Sequence, residues 1–323
     1  MGWWRISADT LAGSRFALSP LAEATASLIA LERGTAAHPG ERLWLDTHLP
    51  AYRERLAAEP VTALLVRAGL GRRWIADFLT PAPTGDGEPA FDEELARIRD
   101  ASAARVRADL EVSSGGPLPR PLQRPDLARQ AAGLVEWVWS EAVLPYWPRR
   151  RRIIEADVVA RTGQLSQGGW AAALAGMRQG MRWLGEGRLQ VNTQDNPPRE
   201  ISAADLLFVP VTPRTGWVAW DLPHRYAVVY PCSGELAEPE AAPVPDGLGP
   251  LLGPARAAVL VLLGTPKSTT QLVALTGQGL GSVGRHLKVL YEAGLIRRRR
   301  AGRSVLYYRT AAGEVLVQAG AKP

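Results

Sequence analysis

The feature that most restricts what this chain can fold into lies between residues 251 and 310, where a series of helical signals gives way to two basic extended arms. Pro254–Leu263 is an apolar run that stops at Gly264. Ser268 then stands three residues before Gln271, the spacing of a capping box, in which hydroxyl and amide each satisfy a backbone group left open by the first helical turn. A short helix follows through Leu272 and Leu275, and Thr276-Gly277-Gln278-Gly279 reads as a turn. From Leu280 to Glu292, Leu280, Val283, Leu287 and Leu290 recur at helical spacing, leaving Ser282, Arg285, His286 and Lys288 to the other face. Gly294 occupies the place where helices end in a left-handed residue. Beyond it, Leu295–Arg300 and Arg303–Arg309 are β-prone arms around an Ala301-Gly302 turn.

Charge is concentrated in the same region. The chain carries 38 Lys/Arg against 32 Asp/Glu, a net of +6. Residues 250–323 hold eleven of the bases and only two acids, Glu292 and Glu314, so the whole positive excess sits there and the rest is slightly acidic. That is the footprint of a nucleic-acid module joined to a neutral partner domain. Helix, helix, turn, helix, hairpin is the plan of a winged helix-turn-helix, whose second paired helix enters a DNA major groove about 12 Å wide. The expected contacts with double-stranded DNA are Thr269 and Thr270, then Gly281, Ser282, Arg285, His286 and Lys288, then Arg298, Arg300 and Arg303 in the hairpin. Five Arg at 297–300 and 303 suit phosphates or a minor groove.

The run Gly281-Ser282-Val283-Gly284-Arg285-His286-Leu287-Lys288-Val289-Leu290-Tyr291-Glu292-Ala293-Gly294-Leu295-Ile296, followed by the Arg-rich arms and Tyr307-Tyr308-Arg309, resembles the ArsR/SmtB-type bacterial repressors. Their recognition helix typically reads V-S-R-H-L-K-V-L-x-E-A-G-L-V; here Gly284 replaces the Ser, and Gly279 the polar residue at the helix start. The resemblance covers about 60 residues and implies a homodimeric repressor with a recognition helix in each of two successive major grooves. Metal sensing, a property of the family's best-known members, does not carry over: the corresponding stretches Thr269–Thr276 and Ala311–Gly320 contain no Cys or His. Arg5-Ile6-Ser7, Ser14–Leu21, Trp147-Pro148 and Glu155-Ala156-Asp157 resemble an uncharacterised domain found fused to such modules in high-GC bacteria. That resemblance implies transcription control and no particular ligand.

The expected class is α+β. Residues 1–240 read as a mostly helical domain for dimerisation or sensing, residues 250–323 as the DNA-binding domain, and Leu236–Pro250 as a Pro-rich linker. Helical periodicity predicts helices over about 19–33, 60–80, 91–110, 126–144, 149–166 and 171–177. Short β-like runs within 187–231 predict a small antiparallel sheet. Eleven Trp all fall between Trp3 and Trp220. Trp137, Tyr146, Trp147, Arg149 and Trp170 are the expected pocket for a small-molecule effector of unknown identity. The run Arg149–Arg152 reads as a solvated helix face.

A single Cys and four His argue against a disulfide framework or a metal site. Met1–Ile6 lacks a signal-peptide core, and no apolar run approaches the ~20 residues of a membrane span, so a cytoplasmic protein is expected. No Gly-rich phosphate loop, nucleophile elbow or H-E-x-x-H motif is present, so neither catalysis nor a cofactor is expected. Two other readings remain open: a winged helix that binds protein, and a ligand-binding or enzymatic N-terminal domain with a regulatory winged helix.

Overall fold

The computed structural model describes all residues except 1, 37–38, 72–73, 85–86, 88, 195, 233–243, 246, 265, 302–303 and 321–323. In chain order the elements are β1 (Trp3–Ile6), α1 (Ala8–Ala12), β2 (Arg15–Phe16), α2 (Pro20–Arg33), α3 (Pro39–Ala58), α4 (Pro60–Gly69), α5 (Phe91–Arg99), α6 (Ala103–Ser114), α7 (Leu127–Val138) and α8 (Trp147–Leu174). They continue with β3 (Arg182–Gly185), β4 (Arg188–Gln190), β5 (Arg199–Ile201), β6 (Asp205–Val211), β7 (Trp217–Asp221) and β8 (Arg225–Pro231). Last come α9 (Leu248–Leu252), α10 (Pro254–Leu262), β9 (Lys267–Ser268), α11 (Thr269–Thr276), α12 (Leu280–Glu292), β10 (Ile296–Ala301), β11 (Ser304–Arg309) and α13 (Ala311–Gly320). The α+β class holds. The chain divides into two compact units, Met1–Trp147 with Gln167–Cys232, and Pro148–Ser166 with Ser233–Pro323.

The first unit is organised around α2. Ser19 caps it, its hydroxyl accepting from the Ala22 N–H at 2.9 Å, and Pro20 stands in the first turn where no N–H is needed. Gly34 ends the helix at φ 62°. Leu21, Leu28 and Leu31 join the core of the surrounding helices, which includes Tyr52, Phe78, Leu95, Leu110 and Val135. On its other side Ala22, Ala26 and Ile29 pack on Leu207, Val209, Val211 and Val229 of a sheet ordered β2-β6-β8-β7. That sheet turns Leu206, Phe208, Tyr226 and Val228 the opposite way, into a core shared with Trp4, Ile6, Leu189 and Ile201 of a second sheet, ordered β3-β4-β1-β5.

The small antiparallel sheet expected within 187–231 is therefore replaced by two four-stranded mixed sheets, which draw in β1, β2 and β3 from outside that span. β2, β6 and β8 run parallel to one another. The reason lies in burial: β6 and β8 are covered on both faces, and such strands read as continuous apolar runs rather than as alternating hairpin arms. Three helical expectations also change. The stretch 60–80 ends as a helix at Gly69, 91–110 is two helices, and 126–144 leaves α-geometry after Val138 for a wider turn over Trp139–Val143. Pro145, which lacks the N–H an α-helix would use, follows directly. Helix α3 fills a stretch for which no element was expected.

The second unit includes the first half of α8, which the expected 1–240 and 250–323 boundaries assigned elsewhere. Ala156 lies in one core with Val259, Leu260, Leu263, Leu272, Val283, Leu287, Leu290 and Ile296. The boundary falls inside α8 at residues 166–167, near the break in its backbone at Gly169 (φ 65°, ψ −169°), and coincides with the gap between the helices expected over 149–166 and 171–177. Of the expected linker, residues 236–243 and 246 lie outside the described residues, and α9 starts within it. No described helix is long and apolar enough to cross a membrane.

Candidate nucleic-acid interface

The interface is assembled in the second unit from α11, α12 and the β10–β11 hairpin. The capping box forms as its spacing predicts: the Ser268 hydroxyl accepts from the Gln271 N–H at 3.2 Å, and Gln271 Oε1 accepts from the Ser268 N–H at 2.5 Å. Leu272 and Val273 anchor α11 in the core, and Gly277 ends it at φ 67°. Gly279, in extended conformation, opens α12. Val283, Leu287 and Leu290 bury one stripe of α12. Its end is a Schellman turn, with Gly294 at φ 69°, the Gly294 N–H on the Tyr291 carbonyl and the Leu295 N–H on the Leu290 carbonyl, both at 3.0 Å.

Opposite the buried stripe, Gly281, Gly284, Arg285 and Lys288 are exposed. A Cβ added at Gly281 or Gly284 would meet nothing within 4 Å, so this helix surface is open down to its backbone. Ser282 and His286 lie to the side, half-buried. The Ser282 hydroxyl donates to Gln278 Oε1 at 3.2 Å and sits 3.3 Å from His286 Nε2, forming a row along the helix at four-residue steps. Burial first, then the positive charges of Arg256 and Arg285, push the His286 imidazole below its ordinary value, so the ring is neutral at pH 7. Lys288 reaches Glu292 at 3.9 Å, but both are well exposed and such a pair contributes little.

The hairpin follows α12. β10 pairs with β11 from Ile296↔Arg309 to Ala301↔Ser304, and β11 pairs with β9 at Leu306↔Ser268 and Tyr307↔Lys267. Ile296 is buried in the core, and period-two alternation puts Arg298 and Arg300 on its face of the strand and Arg297 and Arg299 on the other. Arg297–Arg300 are all exposed. The Arg298 guanidinium lies over the Tyr291 ring, 5.1 Å from its centre, which ties the hairpin to the end of α12. Thr310 secures the base: its hydroxyl donates to the Gly294 carbonyl at 2.8 Å. Arg309 is held against Glu314 at 3.3 Å and is only 14% exposed.

Of the expected contact residues, Gly281, Arg285 and Lys288 are exposed on α12 and Arg298 and Arg300 on the hairpin, with Ser282 and His286 half-buried on α12. Thr269 is half-buried at the first turn of α11. Thr270 is corrected: at 8% exposure it faces the interior, because the capping box fixes the turn with this side chain inward. Arg303, with Gly302 of the expected turn, lies outside the described residues. Tyr291, Gln278 and Arg256 were not foreseen; an aromatic residue on the polar side of α12 is the one signal that marked Tyr291.

Of the five residues expected to form an effector pocket, three share one core and Trp170 lies in another. Trp137 stacks near Tyr52 (6.5 Å), the Tyr146 hydroxyl lies 3.1 Å from His48 Nε2, and Trp147 meets Trp139 edge-on at 5.3 Å, all at the helical core of the first unit. Trp170 packs instead on Phe208 at 5.2 Å, in the core between the two sheets. Arg149 belongs to the second unit, and burial together with Arg152 and Arg150 pushes its pKa down. For Trp170, closeness in sequence misled because the backbone of α8 breaks at Gly169. The run Arg149–Arg152 is solvated only in part: Arg152 is exposed, Arg149 and Arg151 are half-buried and Arg150 is fully buried.

No curated protein and no solved structure matches the chain. Residues 254–298 match the family model described as bacterial regulatory protein, arsR family, and the C-terminal part of the chain is accordingly an ArsR-type helix-turn-helix.

Proposed function

We propose that the protein is a cytoplasmic, homodimeric transcription regulator that binds operator DNA through α12 and a β10–β11 wing and represses by occupying a promoter. What supports this reading is exposure: the bare backbone at Gly281 and Gly284 and the side chains of Arg285 and Lys288 lie on the open side of α12, and Arg298, which lies over the Tyr291 ring of α12, and Arg300 are exposed on the hairpin. A helix bare at two positions can lie deep in a major groove, where Arg285 can read a guanine edge with two hydrogen bonds. The wing arginines would neutralise flanking phosphates and release counterions. Metal sensing through α11 or α13 is not part of this function, since neither helix carries a Cys or His.

Fluorescence anisotropy of the full chain tests it, with a labelled duplex from the region upstream of its own gene against a scrambled duplex, at two salt concentrations. Tighter binding to the first duplex, with steep salt dependence, is expected. Absence of binding at either salt would overturn the proposal in favour of a winged helix that binds protein.

A further inference from the structure

The first unit holds a cavity of about 440 Å³, within the range of small-molecule sites. Trp3, Trp74, Trp220, Arg199, Asn192 and Asn196 border it. None of them belongs to the middle-helix cluster first expected to bind an effector. Trp3, Trp74 and Trp220 are half-buried, so each leaves part of a large aromatic surface open to the cavity. Open indole surface gathered in one concavity is unfavourable in water unless something flat and apolar covers it.

One wall is rigid. The Trp220 indole N–H donates to Asp77 at 2.9 Å, and the Arg199 guanidinium lies over the Trp220 ring, 4.2 Å from its centre. Arg199 is the only charged side chain among the described lining residues, and among the described residues no carboxylate lies within ion-pair distance of it. Asp77 interacts with Arg199 electrostatically from behind Trp220, and its carboxyl is pushed up mainly by burial and by Asp109. An aromatic cage alone would suit a cation, but a guanidinium in the wall repels one and attracts an anion. Asn192 and Asn196 add amide donors and acceptors; the Asn192 Oδ1 already accepts from the Gln194 N–H at 3.0 Å.

We propose that this cavity binds a small planar aromatic carboxylate, with its ring against Trp3 and Trp74 and its carboxylate on Arg199. The site is independent of the DNA-binding surface, so it stands or falls separately from that reading.

Isothermal titration calorimetry of the full chain tests the site, using benzoate, 2-naphthoate and indole-3-carboxylate, their neutral amides, and benzyltrimethylammonium. At least one carboxylate should bind at a single site, with its amide about tenfold weaker or more. Arg199→Gln should remove that difference between carboxylate and amide. Arg199→Lys, which keeps the charge, should retain it, and circular dichroism should show both variants folded. Trp3→Ala should weaken carboxylate and amide alike. No binding of any carboxylate at millimolar concentration, equal binding of acid and amide, preference for the cation, or an Arg199→Gln variant that still prefers the carboxylate would each overturn the proposal.

Discussion

Arg285 and Gly284 are neighbours on the open stripe of α12, and their substitution should have different consequences. Arg285→Ala removes a fork of donors without disturbing the buried stripe. It should weaken operator binding by about 1–3 kcal/mol and relax preference at one base pair, read by anisotropy with single-base variants of the operator. Unchanged affinity and preference would place Arg285 outside the interface. Gly284→Ala adds a methyl group into open space, so helix propensity should raise unfolding stability by up to about 1 kcal/mol. If the backbone there approaches DNA closely, the same methyl group weakens binding; a variant that is both more stable and binds less tightly is the expected result. At this scale the sequence was informative wherever helical spacing decided which way a side chain points, as for Arg285 and Lys288. It was uninformative where orientation depends on the detailed turn, as for Thr270, or on which distant residue covers an aromatic ring, as for Trp137 and Trp170.

Elements differ in how much of their form is local. α11 was legible because a capping box is satisfied within four residues, and Ser268→Ala should cost about 1 kcal/mol of stability, seen as a lower urea midpoint with an unchanged slope. A larger loss would mean that Ser268 also matters through β9, which pairs with β11. The hairpin was legible from its two arms, and its alternation permits a sharper test. Arg300 lies on the strand face shared with Arg298 and Ile296, so Arg300→Ala should weaken binding to all duplexes alike and lower the salt slope by about one unit. An unaltered slope would show that this end of the hairpin does not touch phosphate. The sheets of the first unit were not legible to the same degree. Strand β1 finds its partners β4 and β5 nearly two hundred residues away, and the parallel pairing of β6 with β8 comes from burial on both faces, which a local alternation pattern does not report.

At the scale of the molecule, both units bury charge. The second buries Arg150, Asp157 and Arg161, with Arg161 3.6 Å from Asp157; the first buries carboxylates held by hydroxyls and backbone N–H groups. Glu23 is fully buried on α2 and accepts from the backbone and hydroxyl of Thr212 at the end of β6. Glu94 on α5 is 5% exposed and accepts from the Ser19 hydroxyl at 3.0 Å and the Leu21 N–H at 2.9 Å, at the start of the same helix. Burial outweighs these hydrogen bonds and pushes the Glu94 carboxyl up to about 7 from its ordinary 4.5. Between those values the folded chain keeps a proton that the unfolded chain has released. Stability is therefore fully present below about pH 4.5, falls as pH rises through about 7, and is flat above it, the whole change being on the order of 3 kcal/mol at most. Asp77 and Asp109, also pushed up by burial, act in the same direction from a lower starting value. The hydrogen bonds from Ser19 and Leu21 to Glu94 both fall on one oxygen, Oε2, so a glutamine amide oxygen can accept both without carrying charge. Glu94→Gln should match the parent near pH 5, exceed it in stability at pH 8, and flatten the dependence between pH 5 and 8, measured by urea unfolding at each pH. If the variant keeps the parent's full slope across that window, Glu94 is not the titrating group, and the ionised carboxylate is already well accommodated at the junction of α2 and α5.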